Sequence, residues 1–212
     1  MMMTPSKSSD PSPPATRDLP PAQKPPVLLH ACCGPCAAHV VDVLREHYRV
    51  VCLFFNPNIH PREEFVSRLA AVTMVCRHSG TLLWVPAYRP APWREAIRGL
   101  EAEPEGGERC RLCFQQRLEV TMQAAREAAI PSVTTTLTVG PRKNSRLIHE
   151  IGVGLSARYG VAFLDYDFKK RDGFKKSVEK SARLGLYRQQ WCGCEYSRRG
   201  REDLQPSGRQ PG

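Results

Sequence analysis

Short apolar runs alternate along the chain with longer segments in which apolar residues recur every three or four positions. The short runs are flanked by proline, asparagine or glycine or are rich in β-branched residues, which predicts buried strands at 27–31, 50–55, 81–85, 132–138 and 161–164. The periodic segments predict helices at about 37–44, 62–76, 93–100, 111–129, 145–155 and 174–184. Strands that alternate with helices predict an α/β fold with a mostly parallel sheet.

The pattern also divides the chain into one ordered domain and two tails. Residues 26–200 contain all the periodic segments, and 212 residues suffice for one domain with a sizeable core. Residues 1–25 are rich in proline, serine and alanine and have no apolar centre, so we expect a disordered leader and no signal peptide. Residues 201–212 are polar, with proline and glycine, and we expect a disordered tail.

The charge balance is strongly basic, with 31 Lys and Arg against 21 Asp and Glu and a net charge of +10. A basic surface attracts polyanions such as RNA. Many basic proteins bind no nucleic acid, so charge alone does not decide the partner. No run approaches the roughly 20 apolar residues of a membrane helix, and we therefore expect a cytoplasmic protein with no membrane partner.

Nine cysteines are the unusual feature of the composition. In a reducing cytosol, clustered cysteines indicate metal ligands or redox groups rather than structural disulfides. Cys52, within a predicted strand, and Cys76, on the apolar side of a predicted helix, stand alone, and we interpret both as buried small apolar residues. The other seven form three groups: Cys32, Cys33 and Cys36; Cys110 and Cys113; Cys192 and Cys194.

The first group directly follows the first predicted strand, where parallel sheets bind their ligands. Its Cys33-Gly-Pro-Cys36 segment is also similar to the thioredoxin redox motif. Cys32 and the four grouped cysteines elsewhere weigh against that interpretation, because dithiol exchange does not need them.

The other two groups have their own chemistry. Cys110 and Cys113 begin a predicted helix, whose N-terminus favours the thiolate form that binds metals. Cys192-Gly193-Cys194 could chelate a metal or form a strained, reducible disulfide. Seven grouped cysteines exceed one tetrahedral zinc site. Spacing alone puts an iron–sulfur centre only slightly ahead of zinc.

Five longer motifs, in order, make the chain similar to a known family. The chain resembles the cobalamin-independent epoxyqueuosine reductase family, called QueH, over about residues 27–198. The matching segments are LLHACCGPC at 28–36, FFNPNIHP at 54–61, RCRLC at 109–113, TTTLTVGPRKN at 134–144 and GLYRQQWCGCEYS at 185–197.

The resemblance implies a Rossmann-like α/β fold and an activity. Members of the family deoxygenate epoxyqueuosine to queuosine at the wobble position of tRNA, the last step of queuosine biosynthesis. The implied cofactor is a [4Fe-4S] cluster bound by Cys32, Cys33, Cys110 and Cys113. Cys192 and Cys194 would be a redox-active pair, or ligands of a second metal such as a mononuclear iron. Cys36 would join that second site or be a spare thiol.

The implied partners are tRNA carrying epoxyqueuosine and a low-potential electron donor of unknown identity. Arg142 and Lys143 precede a predicted helix, so they and its N-terminus are expected to contact a phosphate. Two further features could extend the RNA surface: a basic run within 169–176, and Trp191 and Tyr196 beside the last cysteine pair. Candidate proton donors are Tyr187, His30 and Asp167, although His30 is better interpreted as a packed strand histidine.

Three other classes of protein compete with this interpretation. An ATP-using tRNA thiolase would need a phosphate-binding loop after the first strand, and the chain has the cysteine group there instead. A zinc-stabilised RNA-binding module would be colourless. A thioredoxin-like exchanger would need only Cys33 and Cys36.

Overall fold

A computed structural model describes residues 24–197. All five strands of its single sheet run parallel, in the order β3-β2-β1-β4-β5. The strands are β1 Pro26–His30, β2 Arg49–Leu53, β3 Leu82–Trp84, β4 Ser132–Thr135 and β5 Ala162–Phe163. The predicted α/β fold with a parallel sheet is confirmed.

Helices cover both faces of this sheet. They are α1 Gly34–Arg45, α2 Arg62–Ser79, α3 Ala91–Ala96, α4 Glu108–Glu127, α5 Ser145–Tyr159 and α6 Gly173–Arg183, with one 3₁₀ helix at Thr136–Val139. α1 packs against α2 and α6, whereas α4 packs against α5. Val27 and Leu29 belong to the core on the α1 side, and Leu28 belongs to the core on the α4 side. Successive side chains of β1 thus serve opposite faces, which explains its continuous apolar run.

The helix ends follow local sequence signals. Asn144 caps α5, since its side-chain oxygen accepts a hydrogen bond from the Leu147 N–H at 3.2 Å. Gly160, with φ of +67°, ends the same helix in the left-handed conformation. α4 begins at Glu108, three residues before its predicted start, so both of its cysteines lie within the first two turns.

β4 is shorter than the predicted strand at 132–138. The chain leaves the sheet after Thr135, whose hydroxyl oxygen accepts a hydrogen bond from the Leu137 N–H at 3.1 Å. A threonine hydroxyl competes with the sheet ladder in this way and favours a turn. The 3₁₀ helix that follows brings Thr136 against Cys32, with 3.0 Å between the Cys32 backbone nitrogen and the Thr136 hydroxyl oxygen.

β1 and β4 are neighbours whose helical connections depart to opposite faces of the sheet. A crevice opens beyond the carboxyl ends of such a strand pair. Cys32 follows β1 and Thr136 follows β4, so the first cysteine group lies at this crevice. The expectation that these cysteines mark the ligand-binding edge is consistent with this placement.

The predicted tail at 201–212 lies outside the described residues, as does the predicted leader at 1–25 apart from its last two residues. Among residues 24–197, no helix combines the length and the apolar character needed to cross a bilayer.

α1 and α2 approach each other most closely at Gly34. A Cβ atom on Gly34 would lie 2.6 Å from the Cβ of Ala71 and 2.9 Å from its backbone carbonyl. We expect Gly34→Ala to lower the free energy of unfolding by about 1–3 kcal/mol, the usual cost of overpacking a core contact. Urea denaturation of the reduced, metal-free protein measures this change.

Gly154→Ala is the matched control. A Cβ atom on Gly154, within α5, meets nothing within 4 Å. Alanine there should raise the free energy of unfolding by about 0.5–1 kcal/mol through helix propensity alone. Equal effects of the two substitutions would contradict the close α1–α2 contact.

Candidate metal centre

A cavity of about 300 Å³ opens at the carboxyl edge of the sheet. Three thiols line it, those of Cys32, Cys36 and Cys192. Four cationic side chains line the same cavity, namely Arg68, Arg117, Arg142 and Lys143. Among the described residues, Glu105 is the one carboxylate in the lining. The cavity therefore combines soft metal-binding groups with a surplus of positive charge.

The sulfur atoms of Cys32, Cys33 and Cys36 lie within 4.8 Å of one another. The Thr136 hydroxyl donates a hydrogen bond to the Cys32 sulfur at 3.2 Å. The Gln189 amide donates one to the Cys33 sulfur at 2.9 Å. Residues from the loops after β1 and β4 and from the C-terminal segment thus meet at one group of thiols.

Negative charge in this group is concentrated on Cys32. Hydrogen bonds from Cys33 and Cys36 hold the pKa of Cys32 well below its ordinary value, and the nearby Arg117 guanidinium acts in the same direction. The hydrogen bond to Cys32 raises the pKa of Cys33 to about 12, and hydrogen bonds to both neighbours raise the pKa of Cys36. The group therefore offers one ready thiolate, the form that binds metals.

Cys110 and Cys113 lie near the N-terminus of α4, and both are buried. The Gly106 N–H donates a hydrogen bond to the Cys110 sulfur at 3.2 Å. Burial raises the pKa of Cys113, and the charge of Cys192 acts in the same direction. Cys113 also shares an apolar cluster with Cys194, so the second and third cysteine groups are neighbours.

The third group is a tight turn of free thiols. Gly193, between the two cysteines, has φ of +98°, a conformation that favours glycine. The Cys194 hydrogen bond lowers the pKa of Cys192, and so do Lys143 and Ser197. All nine cysteines are free. The structure does not support a disulfide at Cys192 and Cys194, one of the two options for this pair, because neither sulfur is bonded to another cysteine.

Lys143 is a largely buried cation among these thiols, like Arg68 and Arg117. Its ammonium nitrogen lies 3.3 Å from a Glu105 carboxylate oxygen, and only 17% of its side chain is exposed. Burial acts to lower the pKa of Lys143, but the charges of Cys192, Glu105 and Cys110 outweigh it and the pKa is raised. Arg142, its predicted partner in phosphate contact, is exposed instead.

Comparison with known proteins identifies the family. The family model described as epoxyqueuosine reductase QueH matches residues 27–200. The chain belongs to the QueH family. Two curated relatives, both named epoxyqueuosine reductase QueH, come from Streptococcus pyogenes and Thermotoga maritima. The first is 38% identical over 181 residues, covering 82% of this chain and 71% of the relative. The second is 35% identical over 174 residues, covering 81% and 89%.

A solved structure shares the fold of this QueH chain. The U34-tRNA thiolase NcsA from Methanococcus maripaludis, solved with its [4Fe-4S] cluster, matches with a TM-score of 0.54 and 12% sequence identity. The match covers 86% of this chain and 65% of the thiolase. At that identity the likeness concerns the fold alone.

A buried ion pair that sequence reasoning missed holds the last cysteine pair of this QueH protein in place. The Arg68 Nε lies 2.6 Å from a Glu64 carboxylate oxygen, and both side chains are almost fully buried. The two terminal nitrogens of Arg68 donate hydrogen bonds to the backbone oxygens of Cys192 at 3.1 Å and Trp191 at 3.0 Å. The i, i+4 spacing of Glu64 and Arg68 can be recognised in the sequence, but the burial of this ion pair cannot.

Arg117 is a second functional residue that was missed. It lies one helical turn beyond Cys113 on α4, is 4% exposed, and donates a hydrogen bond to the Asn56 side-chain oxygen at 2.5 Å. Among the described residues, no carboxylate forms an ion pair with it, and its Nε has no hydrogen-bond partner. Its charge instead lowers the pKa of Cys32 and opposes the rise at Cys113. The sequence feature that could have indicated Arg117 is its position four residues after Cys113 and seven after Cys110, on the same side of the helix.

The isolated cysteines and the candidate proton donors lie away from the cavity. Cys52 and Cys76 are buried, as predicted. His30 is fully buried, with its ring nitrogens 2.9 Å from the Thr135 hydroxyl oxygen and 3.2 Å from the Phe55 carbonyl oxygen, which confirms a packed strand histidine. The Tyr187 hydroxyl donates to Glu64 at 2.5 Å, and an Asp167 oxygen accepts from the Lys169 N–H at 3.2 Å. None of the three proposed proton donors lines the cavity.

The Arg68–Glu64 pair allows a test of burial. We expect Arg68→Met to lower the free energy of unfolding by about 3–5 kcal/mol, because it leaves the Glu64 carboxylate buried without its partner. Urea denaturation measures the loss. The control is Arg146→Met, which breaks another i, i+4 pair, to Glu150, whose side chains are 89% and 59% exposed. It should cost less than about 0.5 kcal/mol, and equal losses would contradict the role of burial.

His30 makes stability depend on pH. Burial, together with the charge of Arg117, lowers the pKa of His30 to about 3. Between pH 6.5 and 3 the unfolded chain therefore binds a proton that the folded chain does not, so stability falls as the pH falls. The slope from this residue is about 1.4 kcal/mol per pH unit.

We expect His30→Gln to flatten the dependence of unfolding free energy on pH in this range, as measured by urea titrations at several pH values. His47→Gln replaces an exposed histidine and should leave the slope of the wild-type protein unchanged. Parallel curves for the wild type and His30→Gln would refute the assignment.

Proposed function

We propose that this protein reduces epoxyqueuosine to queuosine at the wobble position of tRNA, the last step of queuosine biosynthesis, in the cytoplasm. The match to the QueH family across nearly the whole described domain carries the proposal. The cavity supports it independently, because three cysteine groups that are far apart in sequence lie on or beside it.

The reaction is a two-electron, two-proton deoxygenation. Both carbon–oxygen bonds of the epoxide break, a carbon–carbon double bond forms between the same two carbons, and the oxygen leaves as water. The electrons come from a low-potential donor, which is the second partner of the enzyme.

A [4Fe-4S] cluster would have Cys32, Cys33, Cys110 and Cys113 as its ligands. Among the described residues, the third sulfur within 4.8 Å of those of Cys32 and Cys33 is that of Cys36, so Cys110 and Cys113 would complete the set from the N-terminus of α4. All four are free, and Cys33, Cys110 and Cys113 are buried from water. Four thiolates are the usual ligands of such a cluster. When bound, it would supply the route by which electrons reach the substrate.

Cys36, Cys192 and Cys194 would hold a second metal, a mononuclear iron. Cys36 and Cys192 line one cavity, and thiolates are soft ligands that suit iron. Arg68 fixes the backbone of Cys192 and so keeps this loop against the cavity. The pKa of Cys192 is lowered by the hydrogen bond from Cys194 and by Lys143 and Ser197, which favours the thiolate that a metal would bind.

The cations of the cavity suit an anionic substrate and a negatively charged centre. Arg142 is exposed at the cavity and would contact a phosphate of the tRNA. Lys143 is buried beside the thiols, and its raised pKa keeps a proton on Nζ at the cavity wall. We assign Lys143 to balancing the thiolates and to holding a proton near the reacting oxygen, in addition to its proposed tRNA contact.

An anaerobic assay tests the reaction. Protein loaded with iron and sulfide is incubated with epoxyqueuosine-containing tRNA and a chemical reductant, and the digested nucleosides are analysed by mass spectrometry. We expect loss of one oxygen atom from the modified nucleoside. A fully loaded protein that leaves epoxyqueuosine intact would refute the assigned reaction.

Cysteine variants test the ligand set. Cys110→Ser should lose the brown colour, most of the bound iron and the activity, because it removes one of four cluster ligands. Cys52→Ala is the matched control, since Cys52 is a buried cysteine within β2. It should retain colour and activity. A colourless, zinc-containing protein would favour the RNA-binding module, and full activity of Cys110→Ser would favour a dithiol exchanger.

A further inference from the structure

Phe174 is an exposed aromatic residue in the wall of the cavity. Seven large apolar side chains of the described residues are exposed, and Phe174, at 43%, is the one of them that lines the cavity. Its neighbours in that lining include Cys36, Arg142 and Trp191. A single exposed phenylalanine is ordinary on a protein surface, so its meaning depends on how it is held and what surrounds it.

Small residues fix the helix that presents Phe174. Gly173, Ser177 and Ser181 form a buried stripe along α6, which packs against α1. The Ser177 hydroxyl donates a hydrogen bond to the backbone oxygen of Pro35 at 2.5 Å, in the first turn of α1 between Cys33 and Cys36. A Cβ atom on Gly173 would collide with the Phe168 carbonyl oxygen. The first turn of α6 is therefore held close to the thiols, and Phe174 is held at the cavity.

The segment that contains Phe174 is rich in positive charge. The segment 167–176 contains five basic and two acidic residues. Four of the basic residues are exposed, and none of these four forms an ion pair with any part of the chain that the structure describes: Lys170, Arg171, Lys175 and Lys176. Aromatic rings among unpaired cations are typical of surfaces that bind single-stranded nucleic acid, where bases stack and phosphates meet the cations.

We propose that Phe174 stacks on the nucleobase next to the modified nucleotide, while the cations at the start of α6 contact the adjoining phosphates. This inference rests on the proposed function. The proposed function brings the modified base to the mouth of this cavity, where Phe174 lies in the wall. A base that enters it leaves its stack, so the neighbouring base loses a stacking partner. Phe174, at the cavity wall, replaces that partner.

Kinetics with full-length tRNA provide the first test. Phe174→Ala should raise KM roughly 10-fold, within the range found when a stacking aromatic is removed, with the larger share of the loss in KM rather than kcat. Phe174→Leu keeps an apolar side chain without a π face and should resemble alanine, whereas Phe174→Tyr should restore a KM within about 2-fold of wild type. Val153→Ala is the control, an exposed apolar residue on α5 outside this cavity.

Fluorescence provides a readout that a merely structural role would not change. One anticodon stem-loop carries 2-aminopurine at the nucleotide before the wobble nucleotide, and a second stem-loop carries it at the nucleotide after. Wild-type protein should quench one of the two probes by stacking, and Phe174→Ala should not.

The two proposals fail in distinguishable ways. If the wild type removes the epoxide oxygen but Phe174→Ala has an unchanged KM and unchanged quenching, the stacking inference is overturned and the reaction stands. If Phe174→Leu behaves like the wild type, the contact is apolar rather than stacking, and the inference is also overturned. If the loaded wild type leaves epoxyqueuosine intact, the proposed function itself fails.

Discussion

Buried thiols lose their protons only where hydrogen bonds or nearby positive charge stabilise the thiolate, and this constraint shapes the whole centre. Burial favours the neutral thiol, as the raised pKa of Cys113 shows. Arg117 and Lys143 supply the opposing field from inside the protein, and hydrogen bonds from neighbouring thiols concentrate the charge on Cys32 and Cys192. Without these hydrogen bonds and cations, the three thiols that line the cavity would stay neutral and bind metal poorly.

The fold meets that constraint with few elements. The crevice between β1 and β4 receives the first cysteine group from one strand and the hydroxyl of Thr136 from the other. One helix, α4, provides two thiols near its N-terminus and the Arg117 guanidinium further along. Since a helix is rigid, sequence spacing sets the backbone distance between these thiols and Arg117. The hydrogen bond to Asn56 then keeps the guanidinium in place.

The last cysteine pair depends on a different support. It follows α6 after a stretch without helix or strand, and its local contacts are the hydrogen bonds of Ser197 to the Cys194 backbone oxygen and to the Cys192 sulfur. Arg68 from α2 binds two of its backbone oxygens, and the His60 N–H donates a hydrogen bond to the Gly193 oxygen at 2.8 Å. A side chain on Gly193 would press on Ile59 and Arg68. The loop is thereby fixed to the core by contacts that span more than 120 residues of sequence.

Local sequence determined the parallel α/β order, the start of α5 at Asn144, the burial of Cys52 and Cys76, and the position of the first cysteine group after β1. The spacing of apolar residues, the helix caps and the strand ends each depend on a few neighbouring residues, so they can be predicted from the sequence alone. The tertiary structure decided that β4 ends at Thr135, that Glu64 and Arg68 form a buried pair, and that Lys143 faces thiols while Arg142 faces solvent. These depend on which distant residues meet, because burial and electrostatic field are properties of the packed molecule and not of neighbours along the chain.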